Sequence, residues 1–117
     1  MSRFDRAHRL VELLNGRWTL AVCGQLADGG RRYQDIHDAL DGISHKVLTE
    51  TLRRAERDGL IVRNLDSERV ETAMLYELTD LARSLDDPLD GLGRWVDVNW
   101  HEVEAAHRHW DKRSSGR

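Results

Sequence analysis

The segment that begins at Ser44 concentrates hydrogen-bonding side chains on one face of a predicted helix. His45, Lys46, Thr49 and Glu50 fall in its first two turns. A lysine ammonium can donate to guanine acceptors, a glutamate can accept from the cytosine amino group, and a threonine methyl can contact thymine. The pattern therefore favours a helix that reads bases in the major groove. The alternative is an ordinary solvated helix face.

Phosphate contacts are a second kind of chemistry that this chain can supply. The Ser44 hydroxyl and the free amides at the start of its helix can hold a phosphate. Basic side chains stand ahead of this helix, along it and beside the hairpin that follows. We expect phosphate contacts from Arg31, Arg32, Arg53 and Arg69, with Arg63 beside the hairpin. Pairing with acidic neighbours on the same helix is the alternative for Arg53.

Apolar spacing predicts the elements that position these side chains. Four helices come first, then a two-stranded hairpin, then two more helices. The predicted helices span about 4–14, 18–27, 33–40, 45–57, 80–86 and 88–110, and the predicted strands 60–65 and 70–78, with an edge strand at 31–33. The helix over 18–27 is apolar almost all round and is expected to be buried. Residues 114–117 are expected to form a frayed tail.

The order of turn, helix and hairpin predicts a mainly helical fold with a small antiparallel β-hairpin, the winged helix-turn-helix. A chain of 117 residues fits one domain. We expect a DNA-binding core at about 16–79. The flanking segments 1–15 and 80–113 are expected to form dimerisation helices.

The composition limits the environment and the class of partner. The net charge of -3 is unusual for a nucleic-acid binder, but 11 of the 18 basic residues lie in residues 1–63. Residues 77–104 carry eight acidic and two basic side chains. Cys23 stands alone, so no internal disulfide can form, and a reducing cytoplasm is expected. No apolar run is long enough to span a membrane, and no signal-peptide core is visible.

Two predicted helices carry more apolar surface than a small core with a hairpin can cover. A second copy of the chain would bury the surplus. The expected dimer-interface residues are Phe4, Val11, Leu14, Leu92, Trp95 and Val96. For Trp18 we expect packing in the core or the dimer interface. A flat aromatic effector is the alternative explanation for the tryptophans, with Trp18, Trp95 and Trp100 as its possible contacts.

No residue set in the sequence favours catalysis or metal binding. His101 and His109 lie two turns apart on one helix face, and His107 lies elsewhere on that helix, without a nearby cysteine. No nucleophile with its base, phosphate-binding glycine loop or carboxylate pair is apparent. We expect neither an enzyme nor a cofactor.

Several motifs occur in the order that is typical of one family of regulators. Residues 16–20 resemble its Gly-Lys-Trp-Thr signature, and 31–36 its Arg-Phe-x-x-Leu segment. Residues 42–60 resemble the recognition helix of this family, and residues 76–79 resemble its Tyr-x-Leu-Thr motif. Trp95 resembles a tryptophan that comes later in the family's sequences. Over about residues 10–100 the chain resembles the HxlR-type winged helix-turn-helix transcriptional regulators, which are related to the MarR type.

The resemblance implies a homodimer that reads a palindromic operator in double-stranded DNA, and we expect a repressor. Some members of the family sense oxidants or electrophiles through a cysteine ahead of the tryptophan signature, but residues 1–15 contain none. Two alternatives stay open. One is a winged-helix module that binds proteins instead of DNA, which the acidic C-terminal part favours. The other is an effector-sensing regulator with an aromatic ligand near the dimer interface.

Overall fold

The computed structural model describes residues 1–65 and 73–115, and this part of the chain contains six helices and two strands. In chain order they are α1 (Arg3–Leu13), α2 (Thr19–Gln25), α3 (Tyr33–Ala39), α4 (His45–Arg57), β1 (Ile61–Leu65), β2 (Met74–Leu78), α5 (Asp80–Arg83) and α6 (Asp86–Ser115). The predicted fold class, mainly helical with a small antiparallel hairpin, is confirmed.

Both ends of α4 are defined by local sequence. The Ser44 hydroxyl accepts a hydrogen bond from the amide of Val47 at 3.1 Å, which satisfies one of the free donors of the first turn. At the other end Gly59 takes a φ of +77°, a conformation that side chains with a Cβ rarely adopt. The amide of Leu60 then donates to the Ala55 carbonyl at 2.9 Å, closing the helix with a glycine cap.

The core lies between α2, α3, α4 and the start of β1. Its fully buried large side chains are Val22, Leu26, Ile36, Leu48, Leu52 and Leu60. Leu48 and Leu52 lie one helical turn apart, so α4 turns one face inward and leaves the opposite face to solvent. The core thereby holds α4 as a rigid, half-exposed helix.

The sheet consists of β1 and β2 in antiparallel register, with Arg63 opposite Tyr76. Arg31 adds an isolated bridge to this sheet. Its amide donates to the Tyr76 carbonyl at 3.0 Å, and the Tyr76 amide donates back at 2.8 Å. The predicted edge strand at 31–33 is therefore reduced to this one residue, because Tyr33 already begins α3.

The structure corrects several predicted boundaries and one predicted burial. In α2 only Thr19 and Val22 are buried, and Leu20 is 49% exposed, because this seven-residue helix meets the core on one side only. The second strand begins at Met74, and residues 66–72 lie outside the described residues. The predicted hairpin tip, including Arg69, falls in that gap.

The last helices also differ from their predicted lengths. The Thr79 hydroxyl caps α5 by accepting from the Ala82 amide at 3.1 Å, but α5 ends at Arg83. Pro88 lies in the first turn of α6, where its missing amide hydrogen breaks no helical hydrogen bond. Ser114 and Ser115 are helical instead of frayed, and residues 116–117 are not described.

Met1–Arg83 and Ser84–Arg117 form two compact units. The first contains the core, the hairpin and α1. The second contains α6, a helix of 30 residues. The division into a core at 16–79 with dimerisation helices on both sides stays a prediction. Among the described residues, no helix combines the length and the apolar character that crossing a membrane requires.

Candidate nucleic-acid interface

The residues predicted to read bases all lie in the first two turns of α4, but they differ in their surroundings. Lys46 and Glu50 are exposed, as the prediction requires. The Ser44 hydroxyl already serves as the cap of the helix. Arg53 follows on the exposed side, one turn further along. His45 is exposed as well, but its ring stacks on His37 of α3, so Lys46 and Glu50 are the side chains that a base edge can reach most directly.

The Tyr33 hydroxyl of α3 holds the start of α4. It donates to the His45 carbonyl oxygen at 3.1 Å and lies 3.1 Å from the His45 Nδ1. The Thr49 Oγ1 is 3.3 Å away. One phenol on α3 thus contacts two of the residues predicted to read bases, and the first turns of α4 are tied to the preceding helix.

Two histidine rings extend this contact. His37 of α3 and His45 of α4 stack with their centroids 3.8 Å apart and their planes within 7° of parallel. The Tyr33 ring lies 5.8 Å from the His45 ring on centroids. We call Tyr33, His37 and His45 the stacked cluster. The stack places the His45 ring against α3, and the Tyr33 hydroxyl lies beside Thr49, so that both residues are in contact with the preceding helix.

Sequence reasoning missed Tyr33 and His37 as candidate functional residues. A signal was present, because residues four apart share a helix face and Tyr33 and His37 have that spacing. What the spacing alone does not reveal is their partner, which is 12 residues beyond Tyr33 in the chain.

Two of the arginines predicted to contact phosphates, Arg31 and Arg32, lie directly before α3. The Arg31 guanidinium donates to the Gln25 side-chain oxygen at 2.5 Å. Arg32 precedes α3, and its Nε lies 4.0 Å from an Asp35 carboxylate oxygen, a long ion pair between half-exposed side chains. Such a pair contributes little and can yield to a phosphate. Arg69 lies outside the described residues.

Five of the six residues predicted to form the dimer interface are exposed in the single chain. On α1, Phe4 is 74% exposed and Val11 61%, while Leu14, which follows the helix, is half-buried. On α6, no residue is buried, and Leu92, Trp95 and Val96 are exposed. Both helices therefore present apolar faces that their own compact units leave open.

The tryptophans predicted as possible ligand contacts have different surroundings. Trp18 is half-buried, and the Arg17 guanidinium carbon lies 5.2 Å from its ring centroid, a cation–π contact. Trp95 and Trp100 are exposed on α6. Packing within its own unit covers part of the Trp18 ring. The Trp95 and Trp100 rings are left exposed by the unit that contains them.

The remaining reactive groups are limited. Burial raises the pKa of the Cys23 thiol, which keeps it protonated and weakly nucleophilic at neutral pH. Within residues 1–65 and 73–115, no three histidine, cysteine or acidic side chains are grouped so that they could hold a metal ion.

Removing the Tyr33 hydroxyl should loosen α4 without removing the aromatic ring. We expect Tyr33→Phe to lower the free energy of unfolding by about 0.5–1.5 kcal/mol, the net contribution of one hydrogen bond. Urea denaturation measures this loss. Phe keeps the stacking with His45, so an unchanged midpoint would mean that the hydroxyl contacts do not stabilise the start of α4.

Comparison with known proteins places this geometry in context. The model of the HxlR-like helix-turn-helix family matches residues 13–104. Among curated relatives, the uncharacterised HTH-type transcriptional regulator YvaP of Bacillus subtilis (strain 168) is 33% identical over 97 residues, which cover 80% of this chain and 83% of the relative.

Solved structures agree with the fold. A MarR-family transcriptional regulator from Enterococcus faecalis V583 superposes with a TM-score of 0.77 at 28% identity, covering 90% of this chain and 94% of that one. The reduced form of the transcriptional regulator YodB from B. subtilis has a TM-score of 0.73 at 25% identity, covering 83% and 92% of the two chains.

Proposed function

Because the chain belongs to the HxlR-like helix-turn-helix family of transcriptional regulators, we propose that it binds double-stranded DNA as a homodimer and represses transcription at a palindromic operator. In this proposal α4 reads bases in the major groove. The hairpin and the arginines near α3 contact phosphates.

The exposure of Lys46 and Glu50 on α4 carries the proposal. Both side chains stand in the first two turns of a helix whose opposite face is buried in the core. The stacked cluster ties these turns to α3. A helix held in this way can enter the major groove without further ordering, so little conformational entropy is lost on binding.

The dimer is the second part of the proposal. The uncovered apolar faces of α1 and α6 supply surface that a second copy can bury. A twofold dimer would place two copies of α4 about 34 Å apart, one turn of B-DNA. Palindromic operators follow from that symmetry.

A gel-shift titration with the promoter DNA beside the protein's own gene tests DNA binding directly. We expect a retarded band at low salt that an excess of unlabelled promoter competes away more effectively than unrelated DNA. An intact dimer that shifts no DNA would refute the proposal and favour the protein-binding module, which the acidic balance of residues 77–104 supports.

Lys46 is the best single residue for testing base reading. We expect Lys46→Ala to weaken operator binding by about 1–3 kcal/mol, because the ammonium would no longer donate to a base. Fluorescence anisotropy with labelled operator measures the change. The matched control is Lys112→Ala, which removes the other lysine of the chain from the exposed end of α6. Equal affinities of the two variants would remove Lys46 from the base-reading set.

A further inference from the structure

A small polar cavity lies between α3, α4 and the two strands. Its volume is about 210 Å³. The side chains that give it its chemistry are Tyr33, Thr49, Arg53, Glu56, Arg63 and Tyr76. The sequence argument considered Thr49, Arg53 and Arg63 separately as DNA contacts. Nothing in the sequence predicted that the six side chains lie together.

The charges around this cavity favour an anion. Arg63 and Tyr76 are directly opposed across β1 and β2, so their side chains share one face of the sheet. The Arg63 Nε lies 3.1 Å from a Glu56 carboxylate oxygen. Arg53 is exposed at the same cavity. Two guanidinium groups against one carboxylate leave a surplus of one positive charge.

The hydroxyl groups add donors of the right kind. Burial raises the pKa of Tyr76, so its phenol stays protonated and can donate a hydrogen bond at neutral pH. Thr49 contributes a further hydroxyl to the wall, whereas the single hydroxyl hydrogen of Tyr33 is already donated to the His45 carbonyl oxygen. Guanidinium and hydroxyl donors grouped around one space suit an oxyanion with several acceptor atoms.

The size of the cavity limits the ligand. Pockets that hold drug-sized molecules usually have volumes of about 300–1,000 Å³. A cavity of about 210 Å³ is below that range and suits a group of a few atoms. A phosphate group has this size, and its oxygens match the donors on the wall.

We propose that the cavity lined by Tyr33, Arg53 and Arg63 binds a phosphate group, and that the backbone of the DNA read by α4 supplies it. The assignment of DNA as the source rests on the proposed function. The cavity lies between α4 and the hairpin, and a DNA strand whose major groove holds α4 brings its phosphates to the side of that helix. A small phosphorylated compound is the other source of the same chemistry.

Bound phosphate would act on the orientation of α4. Tyr33 lines the cavity and also contacts His45 and Thr49. A phosphate held there is therefore joined to the predicted base-reading residues through one side chain. It would set the register in which α4 meets the bases.

The Glu56–Arg63 pair supplies a test that separates phosphate binding from simple structural support. Arg63→Gln removes a donor and should weaken phosphate binding. Glu56→Gln removes the carboxylate that repels phosphate and competes for the Arg63 guanidinium, and should strengthen it. A purely structural ion pair predicts harm from both changes, so the opposite signs are diagnostic.

The first experiment titrates the full-length protein with inorganic phosphate and follows the arginine Nε–H signals by NMR. We expect Arg63→Gln to raise the dissociation constant at least about tenfold and Glu56→Gln to lower it. Arg54→Gln is the matched control, since Arg54 is an exposed arginine on α4 that does not line the cavity. Phosphate binding that is absent, or that both Arg63→Gln and Glu56→Gln weaken, would overturn the proposal.

The second experiment identifies the source of the phosphate. The logarithm of operator affinity is measured against the logarithm of salt concentration for the wild type and for Arg63→Gln. If DNA occupies the cavity, the slope should fall by about 0.9 for each protomer bound, one phosphate contact. An unchanged slope, with inorganic phosphate still bound, would overturn the DNA assignment and point to a free phosphorylated compound.

The two experiments also separate this inference from the proposed function. A wild-type protein that binds no DNA would refute the proposed function, yet the phosphate titration would still decide whether the cavity binds an oxyanion. Operator binding without any effect of Arg63→Gln on slope or phosphate affinity would leave the proposed function intact and overturn the inference.

Discussion

Deletion of residues 91–117 is expected to abolish both dimerisation and operator binding. This segment carries Leu92, Trp95 and Val96, which are exposed on α6 and are predicted to meet a second copy. Without the dimer, two half-sites can no longer be bound together, and the affinity that comes from joining them is lost. Sedimentation velocity measures the oligomeric state, and a gel shift measures operator binding.

The truncated chain should keep its core. The fully buried side chains all lie before the deletion, within Met1–Arg83. Circular dichroism is therefore expected to show a folded, helical monomer. A truncated protein that still sediments as a dimer and still shifts operator DNA would place the interface elsewhere, and the tryptophans of α6 would need another partner.

A pair of point variants makes the same test without removing the helix. Val96 is 42% exposed on α6 and lies one helical turn from Leu92, in the predicted interface. Val96→Asp places a charge in the predicted interface and should dissociate the dimer. His101→Asp is the matched control on the other side of α6 and should not, because His101 is exposed and points about 180° from Leu92.

Operator affinity is expected to fall about 10³-fold between 50 and 200 mM salt, if each protomer contacts three phosphates. These three contacts come from Arg31, Arg32 and Arg69, predicted phosphate-binding arginines outside α4. Each such contact releases condensed counterions from DNA, and added salt opposes that release. Anisotropy titrations at several salt concentrations measure the slope. A flat response would contradict the phosphate contacts and favour the protein-binding module.

Substitution of Arg32 tests the predicted salt dependence at a single residue. Its only described ion pair is the 4.0 Å contact with Asp35, so Arg32→Gln costs the fold little. The salt slope of the dimer should fall by about 1.8, two contacts at about 0.9 each. Arg94→Gln on α6 serves as the control and should leave the slope unchanged.

The elements of this protein follow from signals that lie close together in the chain. Ser44 and Gly59 mark both ends of α4, because capping and positive φ depend on a few neighbouring residues. The β-rich runs on either side of residues 66–69 likewise predicted the hairpin. Short-range chemistry was also enough to place Lys46 and Glu50 on the exposed face of α4.

The sequence predicted burial and helix boundaries less well where tertiary packing decides them. The segment 18–27 is apolar almost all round, yet Leu20 remains half-exposed because α2 packs against the core on one side only. Residues 114 and 115 continue α6, although their composition favoured a frayed tail. The spacing of apolar residues shows which faces of a helix are apolar. It does not show how many of those faces pack against another element.

Only the tertiary structure brought together the residues around the candidate interface. Tyr33 meets His45 across 12 residues, and Arg31 pairs with Tyr76 across 45. Such contacts depend on how α3 and the hairpin pack against α4, and no local propensity encodes them. The sequence by itself therefore determined the helix that is proposed to read DNA. The packing of the core decided which side chains hold that helix and which surround the cavity beside it.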